Sequence, residues 1–256
     1  MKRAVIRGAS GDGGKRNMSK PRKAAIFWSG GKDSALALYY LREHHPDLQP
    51  VKLVTCLSQV YDRVSMHGVR RQLVERQAEA LGLPIEFIVI PHEENPSCPM
   101  PHQTPGTTFP PNDLYTRTVL AAMNRHREEG VGTIVFGDIF LEDLRAFREK
   151  LLANARLTGC YPIWKRDSGE LYDEFVALGF QAITVCIDSE RLTEAHCGQM
   201  LNAEFRTSLP AGVDPCGERG EYHTFVFDGP LFRQPVPFRL GDVHHHPPFV
   251  FRELHL

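Results

Sequence analysis

The chain has no Cys-x-x-Cys pair, no surplus of charge of either sign and no long apolar run. Its six cysteines (Cys56, Cys98, Cys160, Cys186, Cys197 and Cys216) are scattered, several in strand-like apolar runs where a reduced thiol behaves as a small hydrophobe. That pattern excludes a zinc ribbon and a disulfide framework. Thirty basic against 31 acidic residues leave a net charge of −1, so no global positive field gathers nucleic acid. No stretch approaches the ~20 apolar residues that span a bilayer, and the N-terminus lacks the apolar core of a signal peptide. A cytoplasmic protein with no membrane partner is expected. What is present, 256 residues with 42% hydrophobic and 24% charged, suffices for one large or two modest domains with a real core.

The strongest motif is Ser29-Gly30-Gly31-Lys32-Asp33-Ser34, between the apolar run Ala24–Trp28 and a helix-like run Ala35–His44. Two glycines let the backbone turn sharply after a buried strand, so that amide N–H groups converge on an anion. The helix opening at Ser34 adds unpaired N–H groups and the positive end of its dipole. Lys32 supplies formal positive charge, and Asp33 is suited to Mg²⁺ bridging phosphate oxygens. The motif lacks the Walker spacing, because Asp33 follows Lys32 and no glycine stands at the required distance. A second glycine-rich run, Gly8–Lys15, has neither correct spacing nor a preceding strand and reads as a decoy in a disordered arm, 1–22.

Strand and helix patterns then alternate. Val51–Leu57 reads as a buried strand, and Val69, Leu73, Val74, Ala78 and Leu81 give helical spacing up to Gly82. Ile85–Ile90 is a third strand, a helix runs from Asn112 or Asp113 to about Glu129, and Thr133–Phe136 is a fourth strand. Between them, 92–111 carries six prolines and is irregular, a lid or an insertion. Alternation predicts an α/β, Rossmann-like fold with a parallel sheet covered by helices on both faces and ligands at the carboxyl ends of its strands. Gly137 and Asp138 fall at that edge, Asp138 as a second magnesium or phosphate residue. The helix Glu142–Leu157 follows, and its Arg145 suits phosphate or carboxylate.

Beyond Gly159 the style changes, and a smaller C-terminal α/β domain is expected over 159–256 after a nucleotide domain at 23–158. It holds a helix at Leu171–Leu178 and a strand at Ala182–Ile187. Its distinctive segment runs from Val213 to Phe225. There Glu218 and Glu221 could bind an amine, act as general base or hold metal, and His223 could move a proton; each is equally suited to holding a turn. His244-His245-His246 lacks ligand spacing and reads as a solvated tail.

SGGKDS at Ser29, GDI at Gly137, Leu178-Gly179-Phe180-Gln181-Ala182, and DPCGERGEYHTFVFDGPLF from Asp214 to Phe232 together resemble the diphthine–ammonia ligase family of ATP pyrophosphatases, or PP-loop proteins. The likeness covers roughly 23–232. It implies cleavage of ATP between the α and β phosphates, adenylation of a carboxylate and amide formation with ammonium, releasing AMP and pyrophosphate. In that family the acceptor is diphthine, a modified histidine on elongation factor 2. The resemblance assigns ATP to Ser29, Gly30, Gly31, Lys32, Asp33, Ser34, Gly137 and Asp138 and the substrate side to Glu218, Glu221 and His223; with the residue chemistry above, Mg²⁺ falls to Asp33 and Asp138 and catalysis to Lys32, Asp33, Glu218, Glu221 and His223. Family members usually carry asparagine where Arg219 stands, and two arginines before Val-Glu where this chain has Arg145-Ala146-Phe147-Arg148-Glu149. Two other readings share the loop. One is a PP-loop tRNA-modifying enzyme, disfavoured by balanced charge and missing cysteine pairs. The other is a non-catalytic ATP-binding regulatory protein, which has no need of the Glu218–His223 cluster. A homo-oligomer is compatible with all three.

Overall fold

The computed structural model describes residues 20–91 and 113–256. The Gly8–Lys15 run and the proline-rich stretch 92–111 lie outside them, as do the readings made of each. Among the described residues no helix is long and apolar enough to cross a membrane.

The first half is a six-stranded, mostly parallel sheet built from β1 (Arg22–Phe27), β2 (Leu48–Ser58), β3 (Arg63–Val64), β4 (Ile85–Ile90), β5 (Val131–Val135) and β6 (Thr158–Cys160). The long β2 organises it. Leu53 and Val54 pair with both β1 and β4, which therefore flank β2 on opposite edges, and β5 and β6 extend the sheet beyond β1. Short β3 pairs antiparallel with Leu57 and Ser58, continuing the edge that β1 leaves when it turns into the loop.

Strand alternation decides which helices cover which face. Ala24 and Ile26 of β1, with Leu53 and Leu57, bury against α1 (Lys32–His44) and α2 (Arg71–Leu81). Ala25, Val54, Ile134 and Phe136 face the other way, onto α3 (Asp113–Glu128) and α4 (Glu142–Ala155). α2 carries its apolar side chains at the spacing the sequence predicts and stops at Gly82, which adopts a left-handed φ of 67°.

The second half differs in kind. After α5 (Ser168–Ala177), β7 (Gln181–Asp188) joins β8 (Tyr222–Asp228), β9 (Arg239–His246) and β10 (Phe249–His255) in a wholly antiparallel sheet of order β8-β7-β10-β9. The short helix α6 (Ala203–Ser208) precedes β8, its N-terminus capped by the Asn202 side chain accepting from Phe205 N. The histidine triplet is not a tail: it forms β9, paired with β10, although its side chains stay exposed. One apolar cluster runs from Ala24 and Leu36 through Phe175 and Val185 to Leu254, so the antiparallel sheet shares the core of α1 and α2. Placed this way, its edge strand β8 meets the carboxyl end of β1.

Candidate functional site

The loop from Ser29 to Gly31 leaves β1 and runs directly into α1. Gly30 has φ +83° and Gly31 approaches so closely that a Cβ there would lie 2.8 Å from the His67 ring. The free edge of β8 forms the wall. Val226 N donates to Gly30 O at 2.9 Å, and Lys32 N donates to the Thr224 hydroxyl at 3.0 Å. Gln77, fully buried on α2, bridges the two by donating from Nε2 to the carbonyls of Gly30 and Val226, while its Oε1 accepts from Trp28 Nε1. Gly31 caps α1 without a side-chain hydrogen bond, so the helix presents its first turn to the loop. Ser34 donates to Gly31 O at 2.8 Å, and the Ser29 hydroxyl accepts from Gly31 N at 3.3 Å.

Lys32 is 2% exposed, with Nζ 2.9 Å from Asp33 Oδ2 and 5.2 Å from the centre of the Tyr222 ring. Burial opposes its charge, but Asp33 and other anionic neighbours outweigh that, so its pKa stands above the ordinary lysine value. Burial raises the Asp33 carboxyl, with Lys32 acting against it. Only one Asp33 oxygen has work: Oδ1 is buried without a hydrogen-bond partner.

Gly137 and Asp138 follow β5 and meet this helix end. A Cβ on Gly137 would lie 2.7 Å from the Asp33 carbonyl, so only glycine brings the segment so close. Asp138 is 6% exposed and its pKa is raised by burial, against the pull of Arg148. Arg148 Nε lies 2.9 Å from Asp138 Oδ2, yet neither atom has hydrogen-bond geometry; the contact is an ion pair without hydrogen-bond alignment.

The 214–221 turn comes over the top. Glu218 Oε1 accepts from Ile139 N at 2.8 Å and Phe140 N at 3.4 Å. Burial, then the neighbouring Asp33, raise its pKa to about 8. Glu221 is different. It is fully buried, Oε1 accepting from Asp214 N and Oε2 from Arg219 N, each at 3.0 Å. Asp214 is similarly engaged, by the Ser168 hydroxyl and by Cys216 N and Glu218 N. Glu221 and Asp214 thus hold the turn that delivers Glu218, and His223 lies one residue into β8, its ring 4.7 Å from that of His67.

The structure therefore brings Ser29–Ser34, Gly137, Asp138, Glu218 and His223 together at the carboxyl ends of β1 and β5, with Glu221 buried in the turn that carries Glu218. Two residues in the site escape sequence reasoning. Gln77 is a polar residue on the buried face of an amphipathic helix, a breach of pattern that would have flagged it. His67 offers no periodic signal. It sits between β3 and α2 in a turn where Met66 takes φ +68°, a strained value for a long side chain. Its Nδ1–H donates to Thr224 O at 3.1 Å, fixing the tautomer, and burial lowers its pKa to about 4, so the ring is neutral.

The matching family models and the curated relatives agree on one family. The diphthamide synthase N-terminal domain matches residues 22–97, and the diphthamide synthase C-terminal domain matches 167–245. The diphthine–ammonia ligase of Danio rerio is 29% identical over 221 residues, covering 81% of this chain and 83% of that protein. That of Bos taurus is 27% identical over 224 residues, covering 84% and 82%. Among solved structures, a predicted subunit of tRNA methyltransferase from Methanocaldococcus jannaschii superposes with a TM-score of 0.41 and 16% identity, covering 73% of this chain and 85% of that one. With both matched segments in order and together spanning more than half of its length, the chain belongs to the diphthamide synthase family.

Proposed function

We propose that this protein is an AMP-forming ligase that joins ammonia to a carboxylate, with diphthine, the acceptor in the name of its relatives, as substrate. The observation that carries the reading is the meeting of a phosphate-type loop with an orphaned buried carboxylate oxygen on Asp33 and, from the other half of the chain, a carboxyl held at a raised pKa on Glu218. A site for nucleotide storage would need the first and not the last.

A carboxylate is a poor electrophile, so its oxygen attacks the α-phosphorus of ATP, the α–β bridge bond breaks and pyrophosphate leaves. The Gly30–Gly31 backbone, the first turn of α1 and the Lys32 ammonium hold that pyrophosphate, neutralising charge as it develops. Ammonia then attacks the acyl carbon of the mixed anhydride and AMP departs. Glu218, poised near neutral pH and fixed by two backbone amides, takes the proton that the attacking nitrogen sheds. Glu221 positions Glu218, and His223 and His67 wall the cleft.

The donor set fits Mg²⁺. Asp33 Oδ1 is a buried carboxylate oxygen lacking a hydrogen bond, Asp138 Oδ2 beside it is held only by the Arg148 ion pair, and magnesium usually takes one or two carboxylates, completing its shell with phosphates and water. Among the described residues no group of three or more His, Cys, Asp or Glu side chains could hold a metal. When bound it would screen the phosphate charge. The chain's N-terminal half would then be the nucleotide unit and its antiparallel sheet the substrate unit, in a cytoplasmic enzyme.

The test is to incubate the protein with labelled Mg-ATP, ammonium and the macromolecular fraction of its own cell extract, beside an Asp33→Ala control. AMP and pyrophosphate that depend on the extract and vanish in the control are expected. Intact bound ATP, or ADP as the main product, overturns the reading.

A further inference from the structure

We propose that Arg145 binds the oxyanion at the reacting end of the site, either the α-phosphate of the nucleotide or the carboxylate that joins to it. The inference rests on the ATP reading above and adds to it a contact outside the phosphate loop.

Arg145 stands in the first turns of α4, its guanidinium carbon 4.5 Å from the centre of the Tyr161 ring and 4.6 Å from that of Trp164. The two rings stand 6.1 Å apart and are inclined at 62°, so they hold the guanidinium from two adjacent sides and restrict its position, leaving its remaining side to bind. Yet it has no anion. Among the described residues no carboxylate forms an ion pair with Arg145, although neighbouring charges are matched: Arg148, one turn on, faces Asp138, and Glu142, one turn back, faces Lys165 at 2.7 Å. A half-buried cation that is rigidly held and unmatched, beside residues that are matched, is arranged for a ligand.

Its place identifies which ligand. Trp164 closes a turn on Tyr161, its N donating to Tyr161 O at 3.1 Å, and the next residue, Lys165, is held at φ +58° with its N donating to Ile139 O at 2.6 Å. Ile139 N is the donor that fixes Glu218. The rings that hold Arg145 are thus tied to the backbone that holds the base, and Arg145 acts electrostatically on Asp138. These links put it beside the segment that follows β5, whereas Gly30 and Lys32 pack against β8. Pyrophosphate in the loop does not need it.

That asymmetry supplies the test. Binding of Mg-pyrophosphate and of α,β-methylene-ATP is measured by calorimetry for the full chain, Arg145→Ala and Arg145→Lys, alongside turnover against increasing amounts of the acceptor fraction. Unchanged pyrophosphate binding shows that each variant is folded with its loop intact. If the α-phosphate is the partner, Arg145→Ala weakens α,β-methylene-ATP roughly tenfold or more, and Arg145→Lys, which keeps charge without the fork, recovers only part. If the carboxylate is the partner, nucleotide affinity stays and the half-saturating amount of acceptor fraction rises by a similar factor. Variants equal to wild type in all three measurements overturn the proposal and leave the ATP reading standing. A wild-type protein that binds neither probe overturns both.

Discussion

Two glycine-bearing loops meet at the site, and they treat buried carboxylates oppositely. In Ser29–Ser34, Asp33 leaves one oxygen without a partner. In the 214–221 turn, Asp214 and Glu221 give their oxygens to backbone amides and the Ser168 hydroxyl. Leaving a buried oxygen orphaned costs free energy that folding alone does not return, whereas amide-bound oxygens are the means by which an irregular turn folds. On the proposed reading the first loop keeps an oxygen for its ligand, while the second is complete in itself and delivers Glu218 as its one reactive member.

The comparison breaks most sharply at Asp33. Asp33→Asn is expected to lower turnover at least ~10³-fold while costing less stability than the loss of Glu221, because Asn keeps one oxygen for Lys32 although it removes the charge that the buried ammonium faces. A comparable loss of stability would place Asp33 with the structural acids. Glu221→Ala should do the reverse: it orphans Asp214 N and Arg219 N in a buried turn, a loss of about 3 kcal/mol or more by denaturant unfolding. An Ala variant of wild-type stability would show that the turn holds without it.

Glu218 sharpens the contrast through pH. Its folded pKa of about 8 lies above the ordinary carboxyl value, so the folded chain holds a proton that the unfolded chain has released. The contribution to stability is complete below the unfolded value and is lost as pH rises through about 8. Glu218→Gln should therefore gain stability over wild type at pH 9 but not at pH 4, and should lose the rising limb of the rate profile near pH 8. Melting curves at the two pH values check the first, and a pH–rate series the second. The smallest effect concerns the seam. Gly31→Ala should cost roughly 1–3 kcal/mol through its clash with His67, and His67→Ala in the same chain should return part of it. A double-mutant cycle with no coupling would show that the two do not touch in solution.

Much of the parallel half is legible from sequence. Ile85–Ile90 appears as a strand at the expected bounds, and α4 starts at Glu142 as its pattern predicts. Local rules suffice there, because each strand is buried by helices adjacent in the chain. The antiparallel half is less so. The 222–228 strand hides behind the functional-looking turn that precedes it, and β9 reads as a polar tail because an outer strand with exposed side chains has no apolar alternation to show. In the site, the six-residue motif and Gly137-Asp138 could be placed by spacing. The division of labour between Glu218 and Glu221 could not, since both are acids of one turn and only hydrogen bonds separate them. His67 was out of reach for a further reason: it arrives through a strained turn that no periodicity announces.

The pairing of Gly30 with Val226 has a consequence for anyone who divides this protein. An exposed strand edge invites pairing with other chains, and here the phosphate loop is what covers that edge. Cut after 158, the first fragment would carry the recognisable motif without its supporting wall, and the second would display an open β8, prone to self-association. Expression of either piece alone would then report on aggregation and a slack loop, and the nucleotide affinity of the motif is a property of the undivided chain.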